Sequence, residues 1–240
     1  MFTIVEEPCS HHRYNDLPDV AEAFEALRPA QRRLDQLVAS GTRVCAETPF
    51  ARGELGAFLL HRHWDLRGEE SIIERPGIHP TGRPALIAQA ERLANDRTAA
   101  PSRFLVDAER RELTALEFSS DKAVTHAWAA LVAQPALLQD ICSLVADSGL
   151  SNQVGLAILA RAVSVPEGQE LVEENWSRMS VTSAQPLPVA DENLTVIPTG
   201  WAFISKKIQA AGSCIAYCMS AGSSPHCVHH YNRPPQVKEQ

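Results

Sequence analysis

Histidines and cysteines, two residue types that bind metal ions, gather in short stretches of this 240-residue chain. One stretch, Leu60 to Trp64, places His61 and His63 two positions apart at the end of an apolar run. Alternate residues of a strand project from the same face, so both imidazoles would converge on one ion. A nearby carboxylate would complete a facial site that leaves positions open for substrate and oxygen. The spacing therefore predicts a divalent metal centre, iron or zinc, built on His61 and His63.

The same stretch resembles the first signature of the cupin family, in which glycine, two histidines, glutamate and glycine follow one another. Its slots are filled in order by Gly56, His61, His63, Glu70 and Gly77, with four residues between Gly56 and His61 and six between His63 and Glu70. The resemblance implies that His61, His63 and Glu70 are metal ligands. It also implies that a histidine near the C-terminus is the fourth.

The C-terminal stretch offers both this fourth ligand and an alternative site. His226 and His230 are the candidates for joining His61 and His63. Alternatively, three cysteines and one histidine would close a structural zinc site of Cys₃His type. The four residues of that alternative are Cys214, Cys218, Cys227 and His229.

Three functions follow from these groupings. The leading hypothesis is a metal-dependent enzyme that oxidises or hydrolyses a small molecule. The alternative is a non-enzymatic binding or regulatory protein held together by the structural zinc. A third possibility is a thiol enzyme, in which Cys9 or Cys45 is the nucleophile and a histidine its base.

The elements that must position these residues indicate an α+β protein with a mixed or antiparallel sheet and about three helices. Strands are predicted at residues 2–6, 55–66, 71–74, 154–163, 199–205 and 213–220, with a hairpin over 104–118. Helices are predicted at 16–40, with a kink or break at Pro29, then from Pro84, and from Pro135 to Gly149. His61 and His63 would then lie on one face of the strand that ends at Leu66.

Composition limits the kinds of partner and the cellular compartment that we expect for the protein. The net charge of −7 excludes a basic nucleic-acid groove, and the start of the chain lacks the basic and apolar segments of a signal peptide. We expect a cytoplasmic protein without a membrane span, whose six cysteines form no disulfide. One domain over residues 1–240 is the simplest organisation, and a split near residue 150 is the alternative. The sequence leaves the oligomeric state open.

Overall fold

The structure is a computed structural model that describes residues 1–5, 7–96, 98–163, 166, 169–176, 178–186, 195–204, 213–220 and 227–233. For residues 169–176, 185–186, 195–198, 213–220 and 227–233 only the backbone is described.

The described residues form five α-helices and twelve strands. The helices are α1 (His11–Asn15), α2 (Val20–Leu27), α3 (Gln31–Cys45), α4 (Lys122–Val132) and α5 (Pro135–Asp147), with short 3-10 turns at Arg28–Ala30 and Leu93–Asn95. The strands are β1 (Thr3–Val5), β2 (Arg52–Leu59), β3 (Glu70–Ile78), β4 (Pro84–Arg92), β5 (Ala100–Asp107), β6 (Glu112–Ser119), β7 (Val154–Ile158), β8 (Gln169–Trp176), β9 (Met179–Pro186), β10 (Thr195–Ile204), β11 (Ser213–Ser220) and β12 (Cys227–Arg233).

All twelve strands belong to one sheet that curls until its pairings meet. Starting from β6, the hydrogen-bonded neighbours are β3, β4, β9, β8, β12, β11, β10, β2, β7 and β5, and β5 pairs again with β6. The pairs β1–β6 and β3–β6 are parallel and the others are antiparallel. The α+β class with a mixed sheet is confirmed, and the sheet is larger than the sequence indicated.

The two faces of the sheet have different partners. One face, which carries Leu55, Phe104 and Leu156, packs against apolar side chains of α2 to α5 and forms the main core. We call the opposite face the inner face; it carries Phe58, Ile72, Leu105 and Ala157, and its apolar cluster also contains Tyr14 of α1. In β2, for example, alternate residues are buried on opposite sides of the sheet, as the apolar pattern requires.

The strand predicted over residues 55–66 is correct only as far as Leu59. The backbone of residues 60–66 leaves the sheet as a loop without helix or strand. Its amides find other partners: the Arg62 N–H donates to the Pro18 carbonyl at 3.0 Å. Because buried backbone groups must be paired somewhere, these bonds with the segment after α1 replace a strand ladder.

The helix predicted from Pro84 is wrong. Residues 84–92 are rich in helix formers, yet they form β4, which pairs with β3 over its whole length and with β9 over residues 85–89. The turn before it contains Gly82 at φ 85°, a conformation suited to glycine that closes the β3–β4 hairpin. Tertiary pairing overrides local propensity here.

In the described part of the chain, a single helix of the length and apolarity needed to cross a membrane is not found. The helices α4 and α5 together pass that test of length and composition, but they are bent by 98° at the break between them.

Candidate functional site

Four buried polar residues meet on the inner face, and we call them the polar centre: His61, His63, Arg103 and Glu117. His61 is 3% exposed, and the side chains of His63 and Glu117 are 4% and 8% exposed. Register places Arg103 opposite both Glu117 and Ala157, so these residues share one face. A bulge on either side of Arg103 interrupts the β5–β6 ladder at this point.

The loop of residues 60–66, here called the histidine loop, is tied to α1 and the segment that follows it. The Asn15 amide accepts from the Leu66 N–H at 2.8 Å and donates to the Leu66 carbonyl at 3.0 Å. The Tyr14 hydroxyl accepts from the His63 N–H at 3.2 Å. Arg62 donates to the carbonyls of Asn15 and Leu17 at 2.9 and 2.6 Å. These bonds fix the loop without a sheet ladder.

The two histidine rings stand edge to face, with centroids 4.9 Å apart. Nδ1 of His61 lies 2.8 Å from the Leu59 carbonyl, which can only accept, so Nδ1 carries the proton and Nε2 the lone pair. Burial, with a smaller contribution from neighbouring His63, lowers the pKa of His61 to about 3. His61 is therefore neutral at physiological pH.

His63 lies against an ion pair. Arg103 Nη1 is 3.0 Å from His63 Nε2, and Glu117 Oε1 is 3.4 Å from the same nitrogen. Because a guanidinium only donates, the shorter contact favours the neutral ring with its lone pair on Nε2. Arg103 Nη1 also lies 3.0 Å from Glu117 Oε2, and its guanidinium stands 5.7 Å from the centre of the Phe58 ring. The arginine and glutamate balance each other's charge inside the protein.

A cavity of about 410 Å³ lies at the turn between β5 and β6, and none of the four residues of the polar centre lines it. It is lined on one side by Leu60, next in the chain to His61, and by Leu105, two residues from Arg103 on the same face of β5. Its rim is polar and includes Arg13, which forms an ion pair with Asp107 at 3.3 Å. The whole lining is Arg13, Leu17, Leu60, Leu105, Val106, Asp107, Ala108, Glu109, Ser151 and Asn152.

Glu70 does not join the two histidines. Its carboxylate contacts the Arg178 guanidinium and accepts from the Arg67 N–H at 2.7 Å. Among the described residues there is no group of three or more His, Cys, Asp or Glu side chains that could hold a metal ion. The cationic Arg103 Nη1 lies 3.0 Å from His63 Nε2, the nitrogen with which His63 would bind a metal ion.

Position 230 lies on the same face as the polar centre. Register pairs His230 with Ala216, Ala216 with Gly200, and Gly200 with Phe58. Directly opposite residues share a face, so position 230 belongs to the inner face. His226, the other expected ligand, lies outside the described residues.

The backbone does not favour the Cys₃His site. Register pairs Cys218 with Val228, which places position 218 and its same-face neighbour 214 opposite even-numbered positions of β12. Positions 227 and 229 therefore belong to the other face. Four residues along a strand also span about 13 Å, too far for two thiolates that each lie 2.3 Å from one zinc ion.

The described thiols are poor nucleophiles. Cys9 and Cys45 are buried and free, and burial raises the pKa of Cys9 to about 11 and that of Cys45 to about 12. A reactive cysteine needs the opposite shift, so this geometry gives no support to a thiol enzyme.

Arg103 and Glu117 are the functional candidates that sequence patterns did not single out. The sequence does contain a pattern that could have identified them. Each is a charged residue inside an apolar strand segment, Arg103 next to Phe104 and Glu117 next to Phe118. Charged residues are almost never fully buried unless they are paired. Comparisons with known proteins add no assignment, since neither a family model, nor a curated protein, nor a solved structure matches the chain.

Proposed function

We propose that this protein binds a small, mostly apolar organic molecule on the inner face of its curled sheet. The polar end of that molecule, here called its head, lies at the polar centre. The observation that carries the proposal is the burial of the four polar-centre residues together with a cavity of about 410 Å³ whose lining includes Leu60 and Leu105, two residues of the inner-face cluster. That volume lies in the range of natural small-molecule sites, which combine apolar walls with a few convergent polar groups.

Stability alone does not account for such a centre. Replacing a buried ion pair by packed apolar residues is often neutral or stabilising, because desolvation offsets the attraction between the charges. His61 has a similar cost, since burial strongly disfavours its protonated form. Groups held in this way are candidates for a functional role.

The experiment blocks the cavity without touching the polar centre. Ala108 lines the cavity from a turn, where it is half-buried, and Ala108→Trp would fill part of the volume. Ala51 is also half-buried in a turn but does not line the cavity, so Ala51→Trp is the matched control. The probe is the fluorescent dye 1-anilinonaphthalene-8-sulfonate, titrated into each folded protein.

We expect one dye molecule to bind per wild-type chain. Ala108→Trp should weaken binding at least roughly tenfold, equivalent to about 1.4 kcal/mol, while Ala51→Trp matches the wild type. Equal binding by all three proteins, or no binding by the wild type, would contradict the proposal.

A metal-dependent enzyme acting on a small molecule is the second candidate. It is supported by the His61 Nδ1 hydrogen bond to a backbone carbonyl, which is how metal-binding histidines are commonly oriented. The short distance between the two rings and the inner-face position of residue 230 also favour an iron or zinc ion held by three histidines. In this case Arg103 must release His63 Nε2.

Metal content per chain distinguishes the two candidates. If the metal hypothesis holds, His61→Ala and His63→Ala each lose the bound metal, while His79→Ala and His126→Ala keep it. Wild-type protein that contains no stoichiometric iron or zinc after expression in supplemented medium would rule out the second candidate and leave the first.

A further inference from the structure

The indole of Trp64 has a buried donor on the inner face. Trp64 follows His63 in the histidine loop and packs against the inner-face cluster that includes Leu60 and Leu105. Its ring centroid is 5.7 Å from that of His63. Within the part of the chain that the structure describes, its Nε1 is buried and has no hydrogen-bond partner.

A second buried polar atom on this face has the same property. Ser180 is 1% exposed, and its Oγ has no partner among the described residues. Register pairs Ser180 with Ala88, which packs against the same cluster as Trp64. Buried polar atoms are nearly always hydrogen-bonded, so each of these two calls for a partner beyond the described side chains, a place that a bound molecule can fill.

The groups nearest Trp64 define what that partner must offer. An indole N–H can only donate, and so can the Arg103 guanidinium beside His63. Arg103 already donates to Glu117, so the donor that requires an acceptor is Trp64 Nε1. Nitrogen heads that only donate, such as an alkylammonium, do not satisfy Trp64.

We propose that Trp64 Nε1 donates a hydrogen bond to the head of the bound molecule, and that this head carries a planar oxygen acceptor, either a carboxylate or a carbonyl. The inference rests on the proposed function and makes its ligand class specific. Trp64 is then a residue that selects the head group, while the cavity accepts the apolar body.

Three ten-carbon probes separate the chemistries: decanoate carries a carboxylate, 2-decanone a carbonyl, and decylammonium only donors. Their dissociation constants are measured by calorimetry for wild-type protein and for Trp64→Phe, which keeps an aromatic ring but lacks the donor. Trp128→Phe is the control, because Trp128 stacks on Phe104 on the helix-covered side, with ring centroids 5.0 Å apart. Thermal unfolding verifies that each variant is folded.

We expect Trp64→Phe to weaken decanoate binding roughly 10- to 100-fold, the loss typical of a hydrogen bond to a charged acceptor. The loss for 2-decanone should be a few-fold if the acceptor is a neutral carbonyl. Decylammonium binding should be the same in both proteins, and Trp128→Phe should behave as the wild type. A larger loss for 2-decanone than for decanoate would identify the carbonyl as the natural head.

An NMR experiment gives an independent readout. In protein labelled with ¹⁵N at its four tryptophans, the indole signal missing from Trp64→Phe is that of Trp64. This signal should move on addition of decanoate, as a new hydrogen bond forms. If decanoate binds while the signal and the affinity of Trp64→Phe stay unchanged, the inference is overturned and the proposed function stands. If none of the probes binds the wild type, both fail.

Discussion

At the scale of single residues, His61 should make the free energy of unfolding depend on pH. Its ring is buried and neutral, with a pKa near 3, whereas an unfolded histidine titrates near 6.5. Between these values the unfolded chain binds a proton that the folded chain does not. The stability that His61 contributes is therefore complete above pH 6.5 and is lost as the pH falls toward 3.

His61→Asn tests this linkage, since an asparagine amide can still donate toward the Leu59 carbonyl but does not titrate. Between pH 7.5 and 4.5, the wild type should lose about 2–3 kcal/mol more unfolding free energy than His61→Asn. Urea unfolding at a series of pH values measures the difference. The exposed His126 supplies the control His126→Asn, which should follow the wild type. Parallel curves for all three proteins would show that His61 is not buried in this way.

At the scale of elements, the histidine loop depends on α1 more than on the sheet. Asn15, the last residue of α1, holds both backbone groups of Leu66. We expect Asn15→Ala to lower the free energy of unfolding by about 1–3 kcal/mol, since it leaves those two groups unpaired. It should also speed amide hydrogen exchange within residues 60–66. The exposed Asn95 provides the control Asn95→Ala, for which neither quantity should change.

The same elements define how far the sequence could predict the structure. The apolar runs of α5, β6 and β11 and the Pro135 start signal give those elements correctly, because their local pattern agrees with their packing. The pairing of His61 with His63 was also visible from their spacing. The sequence did not predict the backbone conformation that brings the two rings together. The chain leaves the sheet at Leu59, and hydrogen bonds from Tyr14 and Asn15, about fifty positions away, position the loop.

The partners of His63 were hidden for the same reason. Arg103 and Glu117 reach it only because β5 and β6 pair across a bulge, and a bulge is a property of two strands together. Glu70, which lies closer in sequence, is instead held by Arg178. Proximity along the chain favoured Glu70, whereas the carboxylate near His63 in the structure is that of Glu117.

At the scale of the whole molecule, the cysteines with described side chains are buried in both layers: Cys45 and Cys142 in the helix-covered core and Cys9 in the inner-face cluster. All three are buried and free, and burial raises the pKa of Cys142 to about 12. They should react slowly with a thiol reagent in the native protein and rapidly after unfolding.

Without reductant, denatured protein should titrate close to six thiols, the full cysteine count, as we propose for a protein of a reducing compartment. A count of four or fewer would contradict that setting.

The curled sheet joins early and late segments of the described chain. Strands on either side of residue 150 are neighbours in it: β7 pairs with β2 and β5, and β9 pairs with β4. A single domain over the whole chain stays a prediction, and so does a monomeric or oligomeric state. The polar centre lies on the inner face and includes two residues of the histidine loop, so the ligand site that we propose depends on the closed sheet.

The most direct test of the central claim changes one charge of the polar centre and measures binding. Glu117→Gln keeps the shape and an acceptor for Arg103 but removes the negative charge, so a carboxylate beside Arg103 is no longer repelled. If the centre contacts the ligand head, decanoate should bind Glu117→Gln roughly 10- to 100-fold more tightly than wild type, the size expected for one charge a few ångströms away. Neutral 2-decanone should bind both proteins alike. Decanoate affinity that is unchanged or weaker in a folded Glu117→Gln protein would contradict a ligand at the polar centre.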